Sequence, residues 1–368
     1  MKKFLVLALF LASGAANAVQ FNMVVLDSLG GDSGAYGMNE SGQIVGNAYN
    51  STTGVTEAVV WNGGVVMSLG IEGIARAVNN SGTVVGENGN NATKNNTGDG
   101  RAYKWDSTTG YQDLGDLDGS FAGAWGINES GVITGNSYTN YSDFGLLQMH
   151  AFRWDAGTMS DLAPPNSTAG YSRGMAINDS GTVVGRASLD TFTNSDKFMA
   201  QWDASDTFTH FTGPYSYSSG RDINNAGVSV GLSKDINGDD RASIWSASGS
   251  ITVFDTFGGD RSLFNAINEA GIAVGFAKDA GDIKRAMITL DGTTLVDLNT
   301  LVNLSGTGFL TLNEATDINE FGEIVGIGTR SDGSVGAFAL TAVPVPGAVW
   351  LFASALGMVG WLRRRQAV

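Results

Sequence analysis

The sequence predicts an all-β fold, and within that class a seven-bladed β-propeller, from three observations. A ten-residue unit of the type "AINDSGTVVG" (residues 176–185) recurs along the chain, each unit holds short apolar stretches, and the last unit lacks its fourth stretch. The 52 glycines and the low charged fraction of 15 % also favour short strands and tight turns over helices.

The ten-residue unit can be counted by its asparagine. This residue occurs seven times, at spacings of 40 to 51 residues: Asn39, Asn79, Asn128, Asn178, Asn224, Asn268 and Asn319. The sequence Asn-x-x-Gly is typical of a tight turn, because Asn bonds to local backbone and Gly adopts positive φ. The apolar residues after it, such as "TVVG", then indicate the returning strand of a hairpin.

A second motif follows each asparagine by 21 to 26 residues. It ends in Trp in the first five units: Trp61, Trp105, Trp154, Trp202 and Trp245. Since this Trp keeps a fixed place in the repeat, we expect it to pack between neighbouring units rather than to stack on a sugar. A fourth apolar stretch, such as "GYQDLG" from Gly110, completes each of the first six units.

The start of the chain supplies the missing stretch. Residues 19–30, "VQFNMVVLDSLG", are similar to the fourth stretches and have no unit before them. We expect this N-terminal strand to complete the last blade and close the ring, which removes open sheet edges. The alternative is a β-solenoid, which needs capping units and leaves the displaced strand unexplained. The repeats thus predict one domain over residues 19–342.

The N-terminal end, residues 1–18, has the pattern of a secretory signal peptide. Lys2 and Lys3 precede an apolar run, and "ANA" places the cleavage site after Ala18. We therefore expect signal peptidase to release an exported chain.

The C-terminal end, residues 343–368, has three parts. It begins with Pro344 and Pro346, continues with an apolar run over residues 347–362, and ends in a basic cluster, Arg363, Arg364 and Arg365. At about 1.5 Å per residue the run is about 24 Å long, which predicts a short single transmembrane helix with its basic end in the cytoplasm.

Both the tail and the repeats resemble known families. The tail, "VPVPGAVWLF" with its basic end, resembles the PEP-CTERM sorting signal in its Val-Pro-x-Pro form, although Val345 stands where many members have Glu. The resemblance implies a Gram-negative producer of exopolysaccharide and an exosortase, a membrane protease that recognises and removes the tail. The repeats resemble extracellular HAF-type repeats, which implies a secreted protein with a propeller-like fold and no defined chemistry.

Charge and composition exclude several function classes. Residues 19–342 contain 16 basic and 36 acidic residues, a net charge of −20, so nucleic acid is not an expected partner. The chain has no Cys and two His, which argues against thiol catalysis and His-rich metal sites. Residues 170–174, "GYSRG", match the Gly-x-Ser-x-Gly hydrolase motif, but Ser172 precedes a predicted strand where that motif requires a helix.

The candidate ligand-binding residues lie on the first strand of each unit, which lines the channel of a propeller. Three residues before each marker Asn the chain has Tyr36, Arg76, Trp125, Met175, Arg221, Asn265 and Thr316. This position varies, as a ligand-facing position would. We predict that Tyr36, Arg76, Trp125 and Arg221 bind the ligand, because aromatic rings and guanidinium groups stack on or hydrogen-bond a sugar. The alternative is that the residue at this position varies by neutral drift, because the position tolerates many side chains.

The stronger of two metal candidates is a calcium loop; the weaker is "DLDG", residues 116–119. In "DINGDD", residues 235–240, oxygen-bearing side chains alternate at Asp235, Asn237 and Asp239, although the distal Glu of an EF-hand is lacking. The alternative is a solvated turn, and no other cofactor is expected.

The function that these patterns favour is that of a non-enzymatic repeat protein at the cell surface or in the biofilm matrix. It would be anchored briefly in the inner membrane and would bind exopolysaccharide or a protein partner. One alternative is a polysaccharide-acting enzyme that uses the channel carboxylates Asp222, Asp317 and Glu314. Because Asp222 and Asp317 lie two units apart, we expect them to be too distant to act together. A purely structural envelope component is the other alternative.

Overall fold

The structure is a computed structural model that describes residues 20–89, 100–143, 146–164, 170–188, 197–211, 217–290 and 292–343. The predicted signal peptide with Ala18 and the predicted sorting signal from Pro344 onward lie outside these residues. The described residues form 27 β-strands, and their only helix is one 3-10 turn, Leu298–Thr300. None of the helical structure in these ranges is long and apolar enough to span a membrane.

The strands form six antiparallel sheets. After β1 (Phe21–Val25), the first sheet has seven strands in chain order: β2 (Gly30–Met38), β3 (Gln43–Asn50), β4 (Val55–Asn62), β5 (Val65–Val78), β6 (Val84–Asn88), β7 (Arg101–Asp106) and β8 (Gly110–Asp113).

Four four-stranded sheets follow, each made of consecutive strands. Their strands are β9 (Asp118–Ile127), β10 (Ile133–Asp143), β11 (Leu146–Asp155) and β12 (Thr158–Asp161); β13 (Tyr171–Ile177), β14 (Val183–Ser188), β15 (Phe198–Trp202) and β16 (Phe208–Phe211); β17 (Ser218–Ile223), β18 (Ser229–Lys234), β19 (Asp240–Trp245) and β20 (Ile251–Val253); and β21 (Gly258–Ile267), β22 (Ala273–Asp279), β23 (Lys284–Thr289) and β24 (Leu295–Asp297).

The last sheet combines the two ends of the repeat region. It contains β25 (Phe309–Ile318), β26 (Ile324–Arg330) and β27 (Val335–Ala342), and β1 pairs with the outer side of β27. Phe21 lies opposite Ala342 in this register.

The predicted seven-bladed propeller closed by the N-terminal strand is therefore wrong as stated. The described residues form six sheets where seven separate blades were expected, and none of these sheets closes on itself. The physical reason for the count is β5, a 14-residue strand that ends one unit and begins the next. Gly70 and Gly73 have φ of +69° and +147°, so the chain changes direction there without leaving the sheet.

The marker asparagines join successive repeat units around a central channel. In each of the first six, the side-chain Nδ2 donates to the backbone oxygen of the next marker asparagine, at 3.0–3.3 Å: Asn39, Asn79, Asn128, Asn178, Asn224 and Asn268. From the last unit to the first, Met38 N donates to Asp317 Oδ2 at 2.7 Å and Glu320 N donates to the Glu40 carboxylate at 3.2 Å. The units thus follow one another around the channel.

The repeated Trp residues pack between neighbouring units. Trp61, Trp202 and Trp245 are almost fully buried. Trp61, for example, belongs to a cluster with Val325 and Ala337 of the last sheet. This confirms the predicted core position for Trp61, Trp202 and Trp245, whereas Trp105 is only half-buried.

A β-bulge interrupts the first strand of every repeat unit. The pairing with the second strand skips one residue at each of seven places, and the skipped residues are Tyr36, Arg76, Trp125, Met175, Arg221, Asn265 and Thr316. A bulged residue is left out of the ladder and its side chain is re-aimed. The position three residues before the marker is therefore free to vary without disturbing strand pairing.

The glycine that ends each ten-residue unit lies against this bulge. A Cβ built at any of the seven would lie 1.8–2.1 Å from a carbonyl oxygen of the first strand: Gly46, Gly86, Gly135, Gly185, Gly231, Gly275 and Gly326. Since no side chain fits at such a distance, the close approach of the two backbones requires glycine.

Candidate functional site

The seven bulged residues, which we call the channel ring, come together around one cavity. All seven line a space of about 260 Å³, together with Glu314 and Ile327. This cavity thus brings together the four residues that the sequence places on the channel face: Tyr36, Arg76, Trp125 and Arg221. On the other side of the ring a second cavity, of about 230 Å³, is also lined by Asp222 and Asp317.

Arg76 lies between two aromatic rings of the channel ring. Its Cζ is 5.2 Å from the centre of the Tyr36 ring and 4.3 Å from that of Trp125. Its Nη2 is 2.5 Å from Glu87 Oε1. The ion pair and the two cation–π contacts fix the orientation of all three channel residues. Burial raises the pKa of Tyr36, although Arg76 opposes this shift, so the hydroxyl remains a neutral donor.

Three nitrogen donors of the channel ring are buried and find no acceptor in the described part of the chain. They are Arg76 Nε, Trp125 Nε1 and Arg221 Nε. Burial and the nearby Arg186 lower the pKa of Arg221, but an arginine stays protonated in proteins. The ring therefore presents positive charge and unused hydrogen-bond donors to the cavity.

The opposite side of the channel ring is polar but internally bonded. Glu314 accepts from Asn265 Nδ2 at 2.9 Å and from Lys284 Nζ at 2.8 Å. Thr316 Oγ1 donates to Ala35 O at 2.8 Å. The donors available to a ligand are thus concentrated on one side, around Arg76, Trp125 and Arg221.

The channel carboxylates Asp222 and Asp317 hold adjoining units together. Asp222 accepts from Ile267 N, and Asp317 from Met38 N, so each carboxylate bonds the main chain of the next unit. Burial raises the pKa of Asp222 to about 6 and that of Asp317 to about 8, and the Asp222 charge adds to the shift of Asp317. The two carboxylates share no hydrogen bond, and each is bonded to a different adjoining unit. Because backbone amides already bond these carboxylates, their geometry is that of structural anchors.

The calcium candidates form a turn that an arginine closes. Asp235 Oδ1 accepts from the backbone N of Asn237 and of Asp239, at 2.8 and 3.0 Å. Arg241 Nη2 lies 2.9 Å from Asp235 Oδ2 and 3.2 Å from Asp239 Oδ2. A calcium ion would have to displace this guanidinium. In the described ranges, this turn included, no group of three or more acidic or His side chains could hold a metal.

The Gly-x-Ser-x-Gly serine has a structural role. Ser172 is fully buried, and its Oγ donates to Leu162 O and accepts from Ala151 N. His150, also buried, contacts Asp161 through Nδ1 at 2.9 Å. Ser172 thus holds strands together and presents no exposed nucleophile.

Sequence reasoning missed Glu87, which positions Arg76. A signal was available at the residue after each of the seven repeat glycines. Charged side chains stand there in only two units, Glu87 and Arg186, among Asn and apolar residues in the other five. Since the first and second strands pair directly, a charge at this position faces the channel beside the bulged residue.

The fold and site define a repeat protein whose antiparallel sheets surround a channel with a cationic and aromatic cavity. A sequence profile described as "Protein of unknown function (DUF3466)" matches residues 112–335, and the chain belongs to this family. Comparison with curated proteins finds no match.

Solved structures with a similar chain path are β-propeller-like. TolB from Acinetobacter baumannii is 13% identical at TM-score 0.43, over 68% of this chain and 62% of that one. A Mycobacterium tuberculosis puromycin-hydrolyzing peptidase is 12% identical at TM-score 0.49, over 88% and 53%. The lectin BP39L from Burkholderia pseudomallei is 10% identical at TM-score 0.41, over 89% and 98%. The chain spans less than two thirds of the first two, and such distant likenesses, to a peptidase and a lectin alike, do not decide activity.

Proposed function

We propose that this protein is a non-enzymatic binding protein whose channel ring holds a segment of exopolysaccharide. The observation that supports this most is the set of three buried donors, Arg76 Nε, Trp125 Nε1 and Arg221 Nε, that have no acceptor in the described chain. A buried polar group without a partner costs about 1–3 kcal/mol. A saccharide carries hydroxyl and ether oxygens at close spacing and supplies such acceptors.

The cavity also suits a saccharide because its lining combines aromatic rings with polar groups. The rings of Tyr36 and Trp125 are held rigid by Arg76, and rigid aromatic side chains bind with little loss of conformational entropy. Its volume of about 260 Å³ is near the lower end for ligand pockets, so a short segment of polymer would fit better than a folded partner.

The enzymatic alternative has less support from the carboxylates. Asp222 and Asp317 accept hydrogen bonds from backbone amides of adjoining units, and Glu314 is paired with Lys284. A glycosidase needs one carboxyl group free to protonate the leaving group and another to act as base or nucleophile. The purely structural alternative gives no reason for buried N–H donors that lack acceptors in the described chain at the centre of the channel.

The cellular setting proposed for this binding follows from the two ends of the sequence. A signal peptide ending at Ala18 would direct export, and the tail from Pro344 to Arg365 would be read by an exosortase. The protein would then carry its channel at the cell surface or in the extracellular matrix, where exopolysaccharide is found.

Binding to immobilised maltohexaose, cellohexaose and hexagalacturonate tests the proposal. We expect saturable binding to at least one of these without cleavage. W125F keeps the aromatic ring but removes the Nε1 donor, and R221Q removes the unpaired charge. Each should weaken binding about tenfold, the loss of one hydrogen bond worth about 1.4 kcal/mol.

R101Q is the matched control, because Arg101 pairs with Asp116 away from the channel ring. It should bind like the unmodified protein. Binding that is equally strong in W125F, R221Q and R101Q would place the ligand outside the channel, and shortened oligosaccharide products would indicate an enzyme.

A further inference from the structure

Four cations form a group beside the channel that no carboxylate neutralises. We call Arg173, Arg186, Lys197 and Arg221 the basic group; none of them is in an ion pair within the described ranges. Residues 19–342 have a net charge of −20, so acidic partners are abundant in the chain. A cluster of unpaired cations in such a protein is unexpected from composition and indicates a specific role.

Two tyrosines hold the basic group together. Arg186 donates from Nη1 to the Tyr217 hydroxyl at 2.6 Å and from Nη2 to the Tyr171 hydroxyl at 2.8 Å. The Tyr171 ring centre is 4.6 Å from Lys197 Nζ and 5.6 Å from Arg173 Cζ. Neutral hydroxyls and a ring face position these cations without cancelling their charge.

The arrangement is unfavourable unless an anion binds. Arg173 and Arg186 lie directly opposite each other on β13 and β14, and like charges at such a pair destabilise a sheet. Burial, together with Arg186, lowers the pKa of both Arg173 and Lys197; burial acts the same way on Arg186, but Tyr171 and Tyr217 outweigh it and raise the pKa of that residue. The carboxylates that act on the group electrostatically are already engaged, Glu87 with Arg76 and Glu314 with Lys284.

The basic group is continuous with the channel ring. Arg221 belongs to both and lines the cavity of about 260 Å³. A Cβ built at Gly220 would lie 3.1 Å from Gly185 O, so the strands that carry Arg221 and Arg186, the residues after these glycines, pack directly against each other. The Nε donors of Arg186 and Arg221 are both buried and without an acceptor in the described chain.

We infer that the basic group binds the carboxylate of an acidic saccharide whose chain enters the channel. Guanidinium groups bind carboxylates through paired hydrogen bonds, and two or more such groups with a lysine neutralise an acidic sugar residue. The saccharide part of this inference rests on the proposed function, whereas the anion site rests on the basic group alone. The protein would therefore select uronate-containing polymer over neutral glucan.

Calorimetric titration with hexagalacturonate and with maltohexaose tests the inference. We expect hexagalacturonate to bind more tightly, with an affinity that falls as salt rises. R173Q and K197Q should weaken hexagalacturonate binding at least tenfold and leave any maltohexaose binding within about twofold. Both variants should fold, because each removes a repulsive charge; thermal unfolding checks this.

K278Q is the matched control, because Lys278 pairs with Asp260 and Asp282 at an exposed turn. Equal affinity for the two oligosaccharides would overturn the acidic assignment and leave the proposed function standing. Hexagalacturonate binding that K278Q weakens as much as R173Q would also overturn it. If neither oligosaccharide binds but inorganic sulfate binds the unmodified protein and not R173Q, the anion site holds and the saccharide function fails.

Discussion

Gly275→Ala is expected to destabilise the protein by about 4 kcal/mol or to prevent its folding. A Cβ at this position would lie 1.9 Å from Leu263 O and 2.8 Å from the Phe264 Cα, both parts of the backbone of the first strand. Such a contact cannot be relieved by a rotamer change, so the hairpin would have to open at its bulge. Urea denaturation of the variant and of the unmodified protein measures the effect.

Gly281→Ala is the matched control for this substitution. Gly281 lies at an exposed turn, where a Cβ would meet only the Asp279 carboxylate oxygen at 3.2 Å. We expect a loss below about 1 kcal/mol there, as is usual for a surface site. A loss that small at Gly275 would contradict the close approach of strands on which the position of the channel ring depends.

Asp317 is expected to make the protein less stable as the pH rises from about 4 to about 8. Burial, and next the charge of Asp222, raise the pKa of Asp317 to about 8 from an ordinary value of 3.8. In this window the folded protein holds a proton that the unfolded chain has released, so the free energy of unfolding falls with rising pH. Asp222, with a pKa of about 6, adds to the fall only below about pH 6.

D317N removes this proton and should flatten the dependence. Between pH 5 and pH 8 we expect the free energy of unfolding of the unmodified protein to fall by about 2–4 kcal/mol more than that of D317N. D332N is the control, because hydrogen bonds from Ser334 lower the pKa of the exposed Asp332, which is ionised throughout this window. Urea denaturation at both pH values measures the free energy of unfolding. If this free energy changes equally with pH in the unmodified protein and in D317N, Asp317 is ionised in the folded protein.

The sequence predicted the repeat and the residues of the channel ring because both follow the chain's period. The marker asparagines give the register of every unit, and counting back three residues finds Tyr36, Trp125 and their equivalents. The pattern did not predict the bulge that frees this position, because the sequence of a strand does not show which residue its partner strand skips. Nor did it predict β5, where Gly70 and Gly73 let two units share one strand.

The basic group as a whole could not be found from the repeat, although Arg186 is one of the two charged residues that follow a repeat glycine. Arg173, Arg186 and Lys197 occupy positions where the other units have no shared basic residue. Their proximity depends on strand pairing and on the Tyr171 ring, which lies beside Lys197 and Arg173.

The indole N–H signals of the eight Trp residues provide the most direct test of binding in the channel. In a ¹⁵N-labelled sample the Trp125 signal is assigned as the one that is missing from W125F. Because Trp125 Nε1 is a buried donor without a partner in the described chain, a bound saccharide oxygen should shift this signal strongly. We expect titration with hexagalacturonate to move the Trp125 signal far more than that of Trp61, which is buried between sheets and bonded to Asp27 O. Saturable binding that leaves the Trp125 signal in place would contradict a ligand in the channel.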